Sequence, residues 1–154
     1  MNKKYYSDKQ EKLIANYLGW FQVVGSGSRP MLTGDISSTN WLGECKTHFT
    51  SGNNILFDSK VWDKIVSEAS AKFRQPAYFV DDGSQDTDKT WVMFMDTYLS
   101  SKFEVVEYPY KINKTITFKH NDLKARTPYL AVYKLHLGNY DVMLTTLETF
   151  YHIM

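Results

Sequence analysis

The stretch TGDISSTNWLGECKTH, residues Thr33 to His48, sets an aspartate, then a glutamate and a lysine one residue apart, among strand-forming neighbours. Asp35 to Ser37 and Trp41 to Thr47 read as two strands joined tightly at Thr39 and Asn40. With those two residues as the loop, Asp35 falls directly opposite Glu44. Residues two apart in a strand share a face, so Glu44 and Lys46 point one way and Cys45 the other. Three charged groups then converge on one patch.

Two carboxylates facing each other across an antiparallel pair repel, so something has to offset them. A lysine alone can do it, or a divalent cation, and hard oxygen donors suit magnesium or manganese. For an isolated Glu-x-Lys tripeptide the alternative is a solvated hairpin with a surface ion pair. The surrounding chain has to decide between them.

At 154 residues the chain is the length of one domain. Hydrophobic residues at 43% and aromatics at 16% exclude a disordered chain. The net charge of +1 makes no case for a polyanion partner by itself, but its distribution is uneven. Residues 1–80 carry 10 Lys/Arg against 7 Asp/Glu, residues 81–96 carry 1 against 5, and residues 97–154 carry 7 against 5. Most of the offsetting acidity lies in DDGSQDTDK, Asp81 to Lys89, which reads as an exposed loop. Without that loop the body is mildly basic, a balance compatible with nucleic acid.

The single cysteine, Cys45, excludes an internal disulfide and a thiolate metal cluster. No run of about 18 apolar residues is present, and the start MNKKYYSDKQEK lacks the apolar centre of a signal peptide. A cytoplasmic protein away from membranes is expected.

Upstream of the hairpin, Ser7 or Asp8 is a candidate N-cap, and Leu13, Ile14, Tyr17 and Leu18 form an apolar stripe. This predicts a helix from about Asp8 to Leu18, stopped by Gly19. WFQVV reads as a short strand before the turn-rich GSGSRPMLTG. Downstream, Asp58 or Ser59 caps a second helix whose Trp62, Ile65, Val66, Ala69 and Phe73 recur at helical spacing. Lys60, Lys64 and Lys72 fall on its polar side, as on a solvated face. PAYFV and TWVMFM read as strands buried on both faces. The tail offers the strand TITFKH, a hairpin turning at Gly138 and Asn139, and a short helix TLETFYHIM. His48, His120, His136 and His152 are too scattered for a metal motif.

With Gly34-Asp35 followed by Glu44-Cys45-Lys46, after a helix and the Gly/Ser loop GSGSRP, the sequence resembles the PD-(D/E)XK nuclease superfamily. It looks most like the Holliday-junction resolvases of archaea and phages. The resemblance covers roughly Asp8 to Val80; Gly34 stands where a proline usually precedes the aspartate, and nothing after Asp96 shares the pattern. It implies an α/β, restriction-endonuclease-like fold, a central mixed sheet flanked by helices, as one nuclease domain over 1–154. Residues 1–96 would be the nuclease core and 97–154 a β-rich C-terminal extension.

It further implies a magnesium-dependent endodeoxyribonuclease, with manganese as a substitute, acting on DNA that is branched. Asp35 and Glu44 would bind the metal, joined by the backbone carbonyl of Cys45, and Lys46 would activate water. Glu11 fits the glutamate carried by the N-terminal helix; its alternative is an exposed acid in a first helical turn. Ser26, Ser28 and Arg29 would contact DNA phosphates, or belong to a solvated loop. Because a four-way junction is two-fold symmetric, a homodimer follows. The rivals are a restriction-like or recombination nuclease acting on duplex DNA, and a non-catalytic DNA-binding protein that keeps the fold.

Overall fold

The computed structural model describes residues 3–23, 34–47, 52–95 and 103–154. Helix α1 runs from Lys3 to Leu18, a turn and a half earlier than the capping pattern predicts. Ser7 and Asp8 lie inside it. Lys and Tyr upstream do nothing to break a helix, and the Gln85 side chain donates to the carbonyl of Tyr6, holding the added turn. The end falls as predicted at Gly19, where the N–H of Trp20 returns 2.8 Å to the carbonyl of Ala15 in a Schellman arrangement.

Strand β1 (Phe21–Gln22) pairs with β2 (Ile36–Ser37), which turns tightly into β3 (Trp41–Thr47). The register is the one read from the sequence: Ile36 faces Gly43, Ser37 faces Leu42, and the N–H of Ser38 closes the loop on the carbonyl of Trp41 at 3.0 Å. Gly34 adopts φ +75°, a region closed to proline with its φ fixed near −65°. Proline at this position would require a different entry into the hairpin.

After β4 (Asn54–Asp58), helix α2 (Ser59–Ala71) begins with the Asp58 side chain accepting from the N–H of Lys60 at 2.8 Å. It buries Trp62, Ile65 and Ala69. Phe73, expected on that stripe, is instead 97% exposed. The helix closes with a Schellman bond from the N–H of Arg74 to the carbonyl of Ala69, and Phe73 occupies the left-handed position at φ 56°, which turns its ring outward.

Strand β5 (Gln75–Asp81) lies parallel to β3, and β6 (Thr90–Met95) antiparallel to β5; both are almost wholly buried. Between them the acidic segment is only partly the solvated loop that its composition suggests: Ser84, Asp86 and Asp88 are exposed. Asp81, Asp82 and Gln85 are buried, and Thr87–Lys89 form a short 3-10 helix. The remaining elements are β7 (Glu104–Ile112), β8 (Thr115–Lys119), α3 (His120–Lys124), β9 (Ala131–Leu137), β10 (Tyr140–Thr146) and α4 (Leu147–Ile153). The β9–β10 turn at Gly138 and Asn139 and the closing helix match the sequence reading, whereas β4 and β7 were not anticipated.

Among the described residues, eight strands form one mixed sheet in the order β1-β2-β3-β5-β6-β10-β9-β7, and β4 pairs with β8 in a separate two-stranded sheet. The residues after Asp96 are β-rich, but they extend the same sheet: β10 pairs with β6. One face is covered by α1 and α4, whose Ile14, Leu18 and Phe150 cluster with Trp41, Phe79 and Phe94. On the other, Trp62 and Ile65 of α2 and Phe57 and Ile116 of β4–β8 pack on Leu42, Tyr78, Val80 and Leu144. The result is mixed α/β: a mixed central sheet flanked by helices. Among the described residues, no helix is long and apolar enough to cross a membrane.

Candidate functional site

Alternation along β3 decides the geometry. Trp41 and Cys45 join the α1/α4 cluster, while Leu42 joins the α2 cluster, so Glu44 and Lys46 point to the α2 side. The ammonium of Lys46 lies 3.4 Å from Oε1 of Glu44, and its side chain keeps 42% of its exposure against 8% for Glu44. Asp35 enters from just before β2, and its Oδ2 accepts the N–H of Cys45 at 2.8 Å. That bond pins the aspartate beside Glu44. The Cys45 thiol is buried on the opposite face, and the part of Cys45 that meets a carboxylate is its backbone N–H.

Burial pushes the Asp35 carboxyl above its ordinary range; the Cys45 N–H and the charges of Lys46 and Lys64 oppose the shift. Burial and then the Asp35 charge raise Glu44 to about 7, against the pull of Lys46 and Lys64. Glu11 on α1 also rises to about 7, through burial first and then Asp35, while a hydrogen bond from the Gln22 side chain opposes it. Glu11, Asp35, Glu44 and Lys46 therefore form one electrostatic group. Ser26, Ser28, Arg29 and His48 lie outside the described residues.

Two neighbours were missed in the sequence. Lys64 and Glu68 are an i,i+4 pair on α2, 3.7 Å apart, and both act on Asp35, the lysine favouring its charge and the glutamate opposing it. Oε2 of Glu68 is buried with no hydrogen-bond partner. Each precedes a buried residue, Ile65 or Ala69, so position at the margin of the apolar stripe was the available signal.

Gln10 is the second omission. It shares a helical face with Ile14 and Leu18 and is 2% exposed. Its Nε2 donates 2.6 Å to the carbonyl of Lys46 and 3.1 Å to Oδ2 of Asp81. The other Asp81 oxygen accepts from Thr47 Oγ1 at 2.7 Å and from the N–H of Gly83 at 2.8 Å. This buried clamp ties the helix bearing Glu11 to the strand bearing Glu44 and Lys46. A glutamine in register with a buried stripe needs such partners, a signal that was legible in the sequence.

Among the described residues, no group of three or more His, Cys, Asp or Glu side chains is arranged to hold a metal ion by itself. Magnesium commonly takes one or two protein carboxylates and completes its shell with water and phosphate oxygens. Asp35 and Glu44 supply that number of hard donors, and burial raises both carboxyls above their ordinary range. Comparison with protein-family models, curated proteins and solved structures returns no match to this chain. The reading of the site rests on its own chemistry.

His120 and His136 are engaged elsewhere. Trp91 Nε1 donates 3.0 Å to Nδ1 of His120, whose pKa burial lowers, and His136 pairs with Asp141 in the β9–β10 hairpin.

Proposed function

We propose that this chain is a magnesium-dependent, structure-selective endodeoxyribonuclease of the PD-(D/E)XK type, cutting phosphodiesters in branched DNA such as four-way junctions. The observation that carries the reading is the gathering of Asp35, Glu44 and Lys46 on one side of the β2–β3 hairpin, with Glu11 drawn against Asp35. An N-terminal helix, a hairpin, a helix and a parallel strand follow in the order that the restriction-endonuclease-like fold implies.

Asp35 and Glu44 would hold the cation, for which manganese can substitute. When bound, the cation supplies positive charge against the phosphate oxygens as they gain charge. Lys46, the most exposed member of the pair with Glu44, orients a water for in-line attack. A phosphorus–oxygen bond forms to that water as the bond to the departing sugar oxygen breaks. Glu11, with a carboxyl near 7, is matched to accept a proton from the attacking water near neutrality. Two such sites on a symmetric junction require a homodimer in the cytoplasm of the cell that replicates or recombines the DNA.

The test is cleavage by purified protein with magnesium on a four-way junction, a matched duplex and a single strand. Paired symmetric nicks in the junction alone support the proposal. Duplex cutting indicates a restriction-like or recombination nuclease, and binding with no cutting of any substrate indicates a non-catalytic protein. Lys46→Ala is expected to lower kcat by about 10²–10⁴-fold with KM nearly unchanged. Unaltered kcat removes Lys46 from the site.

A further inference from the structure

A second cleft opens in the half of the chain that the resemblance does not reach. Its volume is about 320 Å³, at the lower end of the roughly 300–1,000 Å³ range of small-ligand pockets. Leu135 and Leu144 of the main sheet line it, with Tyr108 of β7, Tyr133 of β9, Phe118 of β8 and Leu123 of α3. The lining is dominated by rings and aliphatic side chains. Tyr133 is held by a 2.9 Å hydrogen bond to Thr127, and Phe118 stacks on Phe57 and meets Trp91 edge-on. Tyr108 is 44% exposed.

The chain beside this cleft is unusually basic. Of 18 Lys/Arg and 17 Asp/Glu in the protein, residues 111–126 hold five cations and one acid, Asp122, leaving 13 against 16 elsewhere. Lys111, Lys114, Lys119, Lys124 and Arg126 are all exposed. Among the described residues, none of the five forms an ion pair. Lys114 adjoins the lining residue Thr115 at the start of β8 and Lys124 adjoins Leu123 on α3, whereas Lys111 lines a separate pocket with His136 and Asp141, and the Lys119 ammonium donates 2.6 Å to the carbonyl of Gly52. An apolar, aromatic cleft is therefore lined by residues that adjoin Lys114 and Lys124, in a basic segment of a chain that is otherwise acidic.

A ligand that satisfies both parts has a flat apolar body and a repeating anionic backbone. Unpaired nucleotides have that chemistry: the base offers a free face for stacking, and the phosphates meet the cations. Paired bases inside a duplex do not expose that face. Leu135 and Leu144 belong to the same sheet face as Leu42, the face toward which Glu44 and Lys46 point.

We infer that the cleft between β7, β9 and β8–α3 binds an unpaired nucleotide of a DNA strand, its base against Tyr108 and its flanking phosphates on the basic segment beside it. The inference rests on the nuclease reading for its choice of DNA. It adds a means of selecting structure, since branch points and frayed ends present unpaired bases and continuous duplex does not.

The experiment measures binding by fluorescence anisotropy, with metal chelated so that nothing is cut. The probes are a thymidine oligonucleotide, a blunt duplex of the same length and a four-way junction. The wild-type chain should prefer the oligonucleotide to the duplex. Tyr108→Ala should weaken oligonucleotide binding by about tenfold, Tyr108→Trp should restore it, and duplex binding should be unaffected by either. Reversing Lys114, Lys124 and Arg126 to Glu should make the salt dependence shallower, by about 2 in the log–log slope at roughly 0.7 per lost single-strand phosphate contact. A circular dichroism spectrum matching wild type establishes that each variant is folded.

Oligonucleotide binding that survives both Tyr108→Ala and the triple reversal overturns the cleft assignment, and magnesium-dependent cutting abolished by Lys46→Ala would leave the nuclease reading standing. Binding lost on Tyr108→Ala in a protein that cuts nothing supports the cleft and overturns the nuclease. Absence of binding to any of the three probes overturns both.

Discussion

Glu44 offers the sharpest test, because its burial has a sign that runs against ordinary expectation. Its carboxyl rises from 4.5 to about 7, first through burial and then through the Asp35 charge. A folded-state pKa above the unfolded one means that the folded chain holds the proton more tightly. The resulting stabilisation is fully present below about pH 4.5 and is lost as pH rises through about 7. At about 1.36 kcal/mol per pH unit the loss is ~3 kcal/mol once Glu44 is fully ionised. With 8% of the side chain exposed, solvent screens little of it.

Glu44→Gln removes the titration while keeping the shape. It forfeits the contact with Lys46, whose ammonium is partly exposed, and that loss takes back ~1 kcal/mol. In chelator at about pH 8 the variant should therefore be more stable than the wild type by ~2 kcal/mol, or roughly 4–8 °C in Tm for a domain of this size. At about pH 4 the advantage should vanish. Magnesium should close the gap from the other side. At ten times Kd it stabilises the wild type by ~1.4 kcal/mol at about pH 8, and it should act far less on the variant, which lacks one of two carboxylates.

Thermal unfolding followed by circular dichroism, at both pH values and with chelator or magnesium, reads every term. A Glu44→Gln chain that is less stable than wild type at the higher pH in chelator would refute the reasoning. So would equal magnesium stabilisation of the two proteins.

Two further substitutions check other parts of the structure. Phe73 sits at φ 56° with 97% exposure, so Phe73→Gly relieves left-handed strain and loses little packing; it should raise stability by ~1 kcal/mol in urea unfolding, and a loss of stability would show that the ring packs somewhere. Gln10→Leu leaves the Lys46 carbonyl and an Asp81 oxygen without their buried donor, and it should cost ~2–3 kcal/mol in the same assay; a neutral result would mean that water replaces the amide.

Much of the site was legible because local rules decide it. A two-residue connection at Thr39 and Asn40 leaves one register, and that register puts Asp35 and Glu44 together. Strand alternation then sends Lys46 with Glu44 and Cys45 away. The burial of α2 and the β9–β10 turn were readable for the same reason. Phe73 was misplaced because periodicity does not announce where a helix turns out of phase with its own stripe.

The acidic segment was misjudged because composition says nothing of satisfaction: Asp81 is tolerated in the interior by hydrogen bonds from Gln10, Thr47 and Gly83, residues up to 71 positions away. The expectation of a C-terminal extension has a similar origin. Pairing of β10 with β6 joins residues such as Val142 and Met95, and no nearby residue records which strand a buried apolar strand will choose.

The sequence by itself determined which residues could share a face, where the hairpins turn and which carboxylates stand opposite one another, since these follow from covalent geometry and side-chain period over a few residues. Only the tertiary structure decided that β10 lies inside the sheet, that Gln10 clamps Lys46, that Lys64 and Glu68 border Asp35, and that an aromatic cleft opens beside β7. Those features depend on sheet faces finding apolar partners across long loops, and that choice is made by the packing of the whole chain.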